Sequence, residues 1–276
     1  MNELEHTPYN LNERQWYFLS IYYAREKWGK LIAEIMQYYH EHKNLFCAYF
    51  ISFSKQKGEH LELTFVSFEN DNYNFSDEIY KYFLNFLDRN PSVSKITFPY
   101  GKAIWCDYPN NSLMWDNFKW TYYSERYFHL YQNTLFAMMS LNNEDFSENT
   151  SFSIGMYLIS KGLFCIDTNE QKNILSQIFY TVSKDINEKQ KVDSWIKEHI
   201  KKYDIEKVCN TIESYKKENE SEYSEKLKIW IDEVEKSVKS KEYHFLYLII
   251  CRITGLTTLN QLVILSLLNK WFEVKC

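Results

Sequence analysis

The sequence predicts an α+β fold, in which a ferredoxin-like βαββαβ sheet half is followed by a helical half that shares its core. Three observations lead to this prediction. A continuous aromatic and branched run near the start is typical of a central strand buried on both faces. Amphipathic helical patterns then alternate with strand-like runs. From residue 132 onward, apolar residues recur at i, i+3 and i+4, which favours helices.

The elements of the first half follow one another closely. Residues 14–23, RQWYFLSIYY, predict the first strand, and EKWGKLIAEIMQYYHEH predicts an amphipathic helix after it. Residues 49–65, YFISFSKQKGEHLELTF, then predict a β-hairpin around one glycine. A second amphipathic helix, DEIYKYFLNFLDRN, ends before Pro91. Two further strands are expected at SKITFPYG (94–101) and FKWTYYSERYFH (118–129).

The second half predicts helices throughout. We expect one domain over residues 1–276, divided into a sheet-rich half (1–130) and a helical half (131–276) with one core. The sequence shows no repeat of fixed period and no low-complexity tract. Apolar residues at helical spacing mark segments near 132–141, 151–163, 170–188, 191–203, 204–218, 222–240 and 243–253.

Composition excludes several classes of function. The formal net charge of −5 gives no broad basic face, so no nucleic-acid partner is expected. The apolar stretch FLYLIICRITGL is short and interrupted by Arg252, so no membrane partner is expected. The six cysteines form no CxxC pair, and the first ten residues lack a basic start and an apolar core. A reduced, cytoplasmic protein is the expectation.

Known cofactor and metal motifs are missing. The sequence contains no P-loop, GxGxxG, GxSxG or HExxH motif. The HEH triplet at 40–42 lies in a predicted helix, where alternate residues point apart, so it is a poor metal site. We therefore expect neither a cofactor nor a bound metal.

Three stretches taken in order resemble the thiopeptide-type bacteriocin biosynthesis family, which includes the elimination domains of lantibiotic dehydratases. The first runs from Trp16 through the hairpin CAYFISFSKQKGEHLELTF, the second is WTYYSERYFHLYQNTLF, and the third is HFLYLIICRITGLTTLNQL. The resemblance covers the chain from about Arg14 to its end. It implies an elimination-domain fold and action on a ribosomal precursor peptide.

The chain departs from the elimination pattern at the positions that hold the leaving glutamate. Family members carry arginines where this chain has Ser52, Glu62 and Thr64. A carboxylate in place of a guanidinium would repel a glutamyl group. When Arg252 is matched to the family's late arginine, Tyr247 replaces a histidine. A phenol is a poor base at neutral pH but a good hydrogen-bond donor.

These losses are similar to those of one branch, the stand-alone thiopeptide pyridine synthases. Their reaction is a formal [4+2] aza-cycloaddition between two dehydroalanines of a leader-bearing precursor. It forms the central pyridine and the macrocycle, with loss of water and of the leader peptide. The resemblance therefore implies a cofactor-independent cyclase, with an azole- and dehydroalanine-containing peptide as partner and other maturation enzymes as further candidates.

The same comparison assigns candidate site residues. Tyr247, Arg126 and His129 are the candidate catalytic groups, with Tyr247 donating to the reacting amide and His129 available for acid–base work near neutral pH. The candidate substrate-binding residues are Ser52, His60, Glu62, Thr64, Tyr122, Tyr123, Glu125 and Arg252. For each, a structural role is the alternative: Tyr247 as a core tyrosine, His60 as a backbone-bonded histidine, and Arg252 as the partner of a carboxylate, either Glu125 or Glu62.

Two other functions remain open at this stage. A glutamate-elimination lyase would need arginines from elsewhere, such as Arg25 or Arg126. A non-catalytic member would only bind the peptide or bring partner enzymes together. The absence of the hairpin arginines is compatible with a non-catalytic peptide-binding protein as well as with a cyclase.

Overall fold

The computed structural model describes residues 14–54, 58–68, 75–93, 108–115, 125–142, 146–184, 189–219, 221 and 223–275. Contacts divide the chain into two compact units. The sheet unit holds residues 1–132 and 144–147, and the helical unit holds 133–143 and 148–276. That the two halves share one core stays a prediction.

The sheet unit has the strand order of a ferredoxin-like fold, and the fold class is α+β as predicted. Within the described ranges, four antiparallel strands lie in the order β2-β3-β1-β4. One helix connects β1 to β2 and another connects β3 to β4. The elements are β1 (Trp16–Tyr22), α1 (Trp28–Glu41), β2 (Phe46–Ser54), β3 (His60–Ser67), α2 (Ser76–Arg89) and β4 (Ser112–Trp115).

Aromatic packing joins the two helices to one face of the sheet. Trp28 of α1 stacks on Phe53 of β2, with ring centres 4.5 Å apart. Tyr38, also on α1, lies 5.3 Å from Phe65 of β3 and 5.5 Å from Phe83 of α2. All of these side chains are buried. Since side chains alternate along a strand, the neighbouring residues of β2 and β3 point to the opposite face.

One of the two later strand predictions in this half requires correction. The fourth strand lies at Ser112–Trp115, where it pairs with β1; residues 94–101 lie outside the described residues. The segment 118–129 is not a strand where it is described, because α3 begins at Glu125 and runs to Asn142. Leu130, Leu135 and Met138 on this helix are buried at helical spacing, and their burial stabilises α3.

The helical unit confirms the predicted helices and adds one. Side chains cap the starts of three helices: Asp167 bonds to the Asn169 N–H, Asp204 to the Lys207 N–H, and Ser224 to the Leu227 N–H. The helix α10 was not predicted. The helices after α3 are α4 (Glu148–Phe164), α5 (Thr168–Ser183), α6 (Lys189–Ile200), α7 (Ile205–Lys217), α8 (Glu225–Ser237), α9 (Tyr243–Thr254) and α10 (Thr258–Lys275).

A glycine separates the last two helices. Gly255 follows α9 with φ of 65°, the left-handed conformation that glycine adopts without strain, and it ends that helix.

In the part of the chain that the structure describes, no helix has both the length and the apolar composition needed to cross a bilayer.

Candidate functional site

The face of the sheet opposite α1 and α2 carries a polar cluster. Ser52 of β2 lies directly across from Glu62 of β3, and Glu62 lies directly across from Ser20 of β1. His60 and Thr64 are two residues to either side of Glu62 along β3, and therefore share its face. These five residues are called the polar sheet cluster below. The structure thus brings Ser52, His60, Glu62 and Thr64 together, and adds Ser20.

A short hydrogen bond joins the two strands of the hairpin within this cluster. The Ser52 hydroxyl donates to Glu62 Oε2 at 2.6 Å, and Ser52 is only 1% exposed. A hydroxyl that donates to a carboxylate makes one of the stronger hydrogen bonds found in proteins. The Glu62 side chain keeps 17% of its surface exposed, so solvent reaches the cluster at this carboxylate.

His60 is held by the turn that precedes it. Its Nδ1 lies 2.9 Å from the Gly58 carbonyl oxygen. Since a carbonyl only accepts, Nδ1 carries the hydrogen, and Nε2 faces Glu62 Oε1 at 3.8 Å. The imidazole also packs against the Tyr22 ring at 4.6 Å. These contacts fix the ring orientation and place a second polar group beside the carboxylate.

Two hydroxyls of the cluster have no hydrogen-bond partner. Ser20 and Thr64 are both 0% exposed, and neither Ser20 Oγ nor Thr64 Oγ1 makes a hydrogen bond. Leaving a buried hydroxyl without a partner costs about 1–3 kcal/mol. Two such groups on adjacent strands are unusual in a folded protein, where buried polar groups are normally bonded.

Aromatic side chains flank the cluster on the same sheet face. Thr64 lies in register between Phe50 of β2 and Phe18 of β1. Trp16 stacks on both phenylalanines, with ring centres 6.0 Å from Phe50 and 6.1 Å from Phe18. Tyr131 of α3 meets Phe50 edge-on at 5.0 Å, and its hydroxyl donates to the Ile51 carbonyl. Trp16 and Phe18 remain partly exposed, so this face combines flat apolar groups with hydrogen-bonding ones.

The second sequence motif is only partly described. Tyr122 and Tyr123 lie outside the described residues. Glu125 and Arg126 occupy the first turn of α3, which corrects the prediction of a polar strand there; their side chains lie outside the description. His129 is an exposed residue of the same helix. Their predicted roles stay predictions.

Tyr247 lies in the interior of the helical unit, on α9. Its side chain is fully buried, and its hydroxyl donates to Gln261 Oε1 of α10 at 3.2 Å. Burial, followed by the neighbouring Cys251 thiol, raises the pKa of Tyr247 far above its usual range. Burial likewise raises the pKa of Cys251 to about 12. The phenol is therefore a neutral donor at every physiological pH and cannot act as a base.

Arg252 does not carry the buried charge that the apolar helix suggested, while its predicted pairing with a carboxylate, such as Glu125 or Glu62, stays a prediction. It is exposed, in the last turn of α9. The apolar residues of this helix face inward at helical spacing, while position 252 falls on the outer side. A cation at this end of a helix interacts favourably with the helix dipole. The hydropathy of the segment does not show which side of α9 faces the interior, so it could not place Arg252 on the exposed side.

The structure also reveals an ion pair of a buried lysine that the sequence reasoning missed. Lys161 of α4 is 6% exposed, and its Nζ lies 3.1 Å from Glu218 Oε2. Tyr157 donates to the same carboxylate oxygen at 2.7 Å, and Lys161 bonds to the Tyr223 hydroxyl. The lone lysine inside the apolar run YLISKGLF was the available signal. Because every member has partners, this network holds the segment after α7 against α4.

Ser20 was likewise missed, although one signal for it existed. It is the single small polar residue inside the aromatic strand WYFLSIY. Its membership of the cluster depends on pairing with β3, some forty residues further along the chain.

Arg25, a candidate for binding a glutamyl group, is engaged elsewhere. It is 7% exposed, its Nε donates to the Phe146 carbonyl, and its guanidinium lies over the Trp28 ring at 5.2 Å. Its Nη1 also lies 3.8 Å from Glu59. These contacts tie the start of α1 to neighbouring segments of the sheet unit.

The polar sheet cluster combines hydroxyl donors with a carboxylate acceptor, the two kinds of group that bond to a peptide amide. The described side chains were also searched for metal ligands. They include no group of three His, Cys, Asp or Glu residues close enough to share a metal ion.

No protein-family model and no curated sequence matches the chain. Among solved structures, the chain is similar to the pyridine synthase TbtD from thiomuracin biosynthesis, with a TM-score of 0.62 and 10% identity. The match covers 95% of this chain and 98% of TbtD, so the two share a fold along nearly their whole lengths.

Proposed function

We propose that this chain is a thiopeptide maturation enzyme that catalyses a formal [4+2] aza-cycloaddition between two dehydroalanines of a leader-bearing precursor peptide. The observation that carries the proposal is the polar sheet cluster on a fold shared with a pyridine synthase. Where the resembling elimination enzymes have arginines, the cluster has the Ser52–Glu62 hydrogen bond and Thr64. This set suits a neutral amide and repels a glutamyl carboxylate.

The reaction needs a folded peptide and a polarised amide more than it needs a strong base. In the first step the amide beside one dehydroalanine moves its N–H proton to its oxygen and becomes an iminol. The resulting azadiene adds to the second dehydroalanine, and two new bonds close the ring. Water then leaves, followed by the leader peptide as an amide, and the ring becomes a pyridine. Holding the two reacting segments together supplies much of the rate enhancement.

Mass spectrometry tests the proposal directly. The protein should convert a synthetic leader-bearing peptide with two dehydroalanines into a macrocycle, releasing the leader amide and one water. A peptide with a single dehydroalanine is the matched control and should remain linear. Unchanged mass for both peptides, despite measurable binding, would replace the cyclase by a peptide-binding scaffold. Loss of glutamate from a glutamylated peptide would instead identify an elimination lyase.

Tyr247 stays the proposed donor to the reacting amide, a role for which its buried hydroxyl would have to leave Gln261. Tyr243, a tyrosine on the preceding turn, offers a matched comparison. Tyr247→Phe should lower kcat by about tenfold, because the amide loses one neutral hydrogen-bond donor. The free energy of unfolding should fall by only about 1 kcal/mol, the usual contribution of one hydrogen bond, here that to Gln261. Steady-state kinetics and urea unfolding measure the two effects separately.

Tyr243→Phe is the control. Its hydroxyl donates to the Ile159 carbonyl at 2.6 Å, and its side chain is also fully buried. It should show a comparable loss of stability with kcat unchanged. If Tyr247→Phe retained full turnover, Tyr247 would be a core residue without a role in the reaction.

The elimination alternative is weakened by the position of Arg25. Its guanidinium is occupied by the Phe146 carbonyl, Glu59 and the Trp28 ring. Capturing a glutamyl group there would require these contacts to break, and the partly exposed Glu59 carboxylate would lose its Arg25 partner.

A further inference from the structure

We infer that Ser20 and Thr64 are substrate-binding groups, whose hydroxyls donate to one backbone carbonyl of the precursor while Glu62 accepts the N–H of the same amide. The inference rests on the function proposed above and specifies how the sheet face recognises its substrate. It assigns a role to Ser20, which no motif marks. The ligand class is a secondary amide next to a flat ring.

The two unpartnered hydroxyls are the first support. Both are fully buried and without a hydrogen-bond partner, while Ser52 and His60 beside them are bonded. The cluster therefore has unused donors at two defined positions. A site built to receive a ligand carries such groups at a cost in stability, because they are satisfied only when the ligand is bound.

Strand register is the second support. Ser20 lies directly opposite Glu62, which places their Cβ atoms about 5 Å apart. Thr64 lies two residues from Glu62 along the same strand, about 7 Å away. A secondary amide has an acceptor oxygen and a donor N–H on opposite sides, separated by a few ångströms. Two hydroxyls on one side and a carboxylate on the other match that pattern.

The aromatic neighbours indicate what flanks the amide. Thr64 sits in register between Phe18 and Phe50, and Trp16 stacks on both. Trp16 and Phe18 are partly exposed, so a flat ring can lie against this platform. An azole adjoining a backbone amide would place its ring here and its carbonyl beside Thr64.

The test removes the hydroxyl of Ser20 or of Thr64 by a substitution that keeps the size of the side chain nearly the same. Ser20→Ala and Thr64→Val should each raise Tm by about 2–4 °C, because an unsatisfied buried hydroxyl is lost. The same variants should bind the two-dehydroalanine peptide about tenfold more weakly. Thermal unfolding measures the first effect, and fluorescence anisotropy with the labelled peptide measures the second.

Thr134→Val is the matched control in the helical unit. Thr134 is also 0% exposed, but its Oγ1 accepts a hydrogen bond from the Trp230 indole at 2.9 Å. Removing this satisfied hydroxyl should lower Tm and leave peptide affinity unchanged. The opposite signs of the Tm changes distinguish unsatisfied hydroxyls from bonded ones.

The outcomes separate this inference from the function proposed above. Wild-type affinity in both cluster variants, with cyclisation by the parent protein intact, overturns the inference and leaves the cyclase standing. A lower Tm in both variants also overturns it, because the hydroxyls would then be satisfied inside the protein. Weaker binding without any cyclisation by the parent protein supports the inference and removes the cyclase. Failure of the parent protein to bind the peptide overturns both.

Discussion

Glu62→Gln should lower kcat/KM for the two-dehydroalanine peptide by about 10- to 100-fold, because a hydrogen bond to a charged acceptor contributes about 1.5–3 kcal/mol. Glutamine keeps the length of the side chain and can still accept from the Ser52 hydroxyl, so the hairpin should remain folded. What the variant removes is the negative charge opposite Ser20. Competition kinetics against the parent protein measure the ratio of the two kcat/KM values.

Glu59→Gln provides the comparison for this variant. Glu59 belongs to the same hairpin, and its carboxylate lies 3.8 Å from the Arg25 guanidinium. The same chemical change there should leave kcat/KM within about twofold, because a partly exposed pair at this distance contributes little. Equal losses of kcat/KM in both variants would mean that the total negative charge of the hairpin matters, and not the carboxylate at position 62 in particular.

Trp28→Ala should lower the free energy of unfolding of the sheet unit by about 3–5 kcal/mol, the range for removing a large aromatic residue from a core. Trp28 is 1% exposed, stacks on Phe53 at 4.5 Å and donates from its indole to the Tyr23 carbonyl at 2.8 Å. Alanine leaves a cavity between α1 and the sheet and an unpaired carbonyl. Urea unfolding followed by far-ultraviolet circular dichroism measures the loss.

Trp115→Ala is the control for that measurement. Trp115 lies on β4 and is 40% exposed, and its ring centre is 6.2 Å from that of Tyr80. Its removal should cost about 1 kcal/mol or less, since a half-exposed tryptophan leaves no closed cavity. A loss as large as that of Trp28→Ala would mean that the interior beneath α1 is not the main source of stability in this unit.

Much of the fold was predictable because its signals are local. The strand β1, the hairpin of β2 and β3, and the helices α1 and α2 each show their periodicity within one short segment. The strand β4 has only four residues, which is too short for a period to be read. The start of α3 was misplaced because aromatic residues favour strands, while burial of Leu130 and Leu135 decides for a helix.

The candidate site divides in the same way. Side chains alternate along a strand, so the sequence alone places Ser52, Glu62 and Thr64 in line with one another once the hairpin is recognised. The same rule cannot tell which partner strand lies beside them. Ser20 joins the cluster only because β1 pairs with β3 in a particular register, across a long stretch of chain.

By itself, the sequence determined the α+β class, the hairpin and the shared polar face, since each depends on residues a few positions apart. Only the tertiary structure decided that Ser20 and Thr64 lack partners, that Tyr247 bonds to Gln261, and that Arg252 points outward. Hydrogen-bond partners and burial depend on which distant segments meet. Those contacts are set by the packing of the whole chain, and no short stretch of sequence contains them.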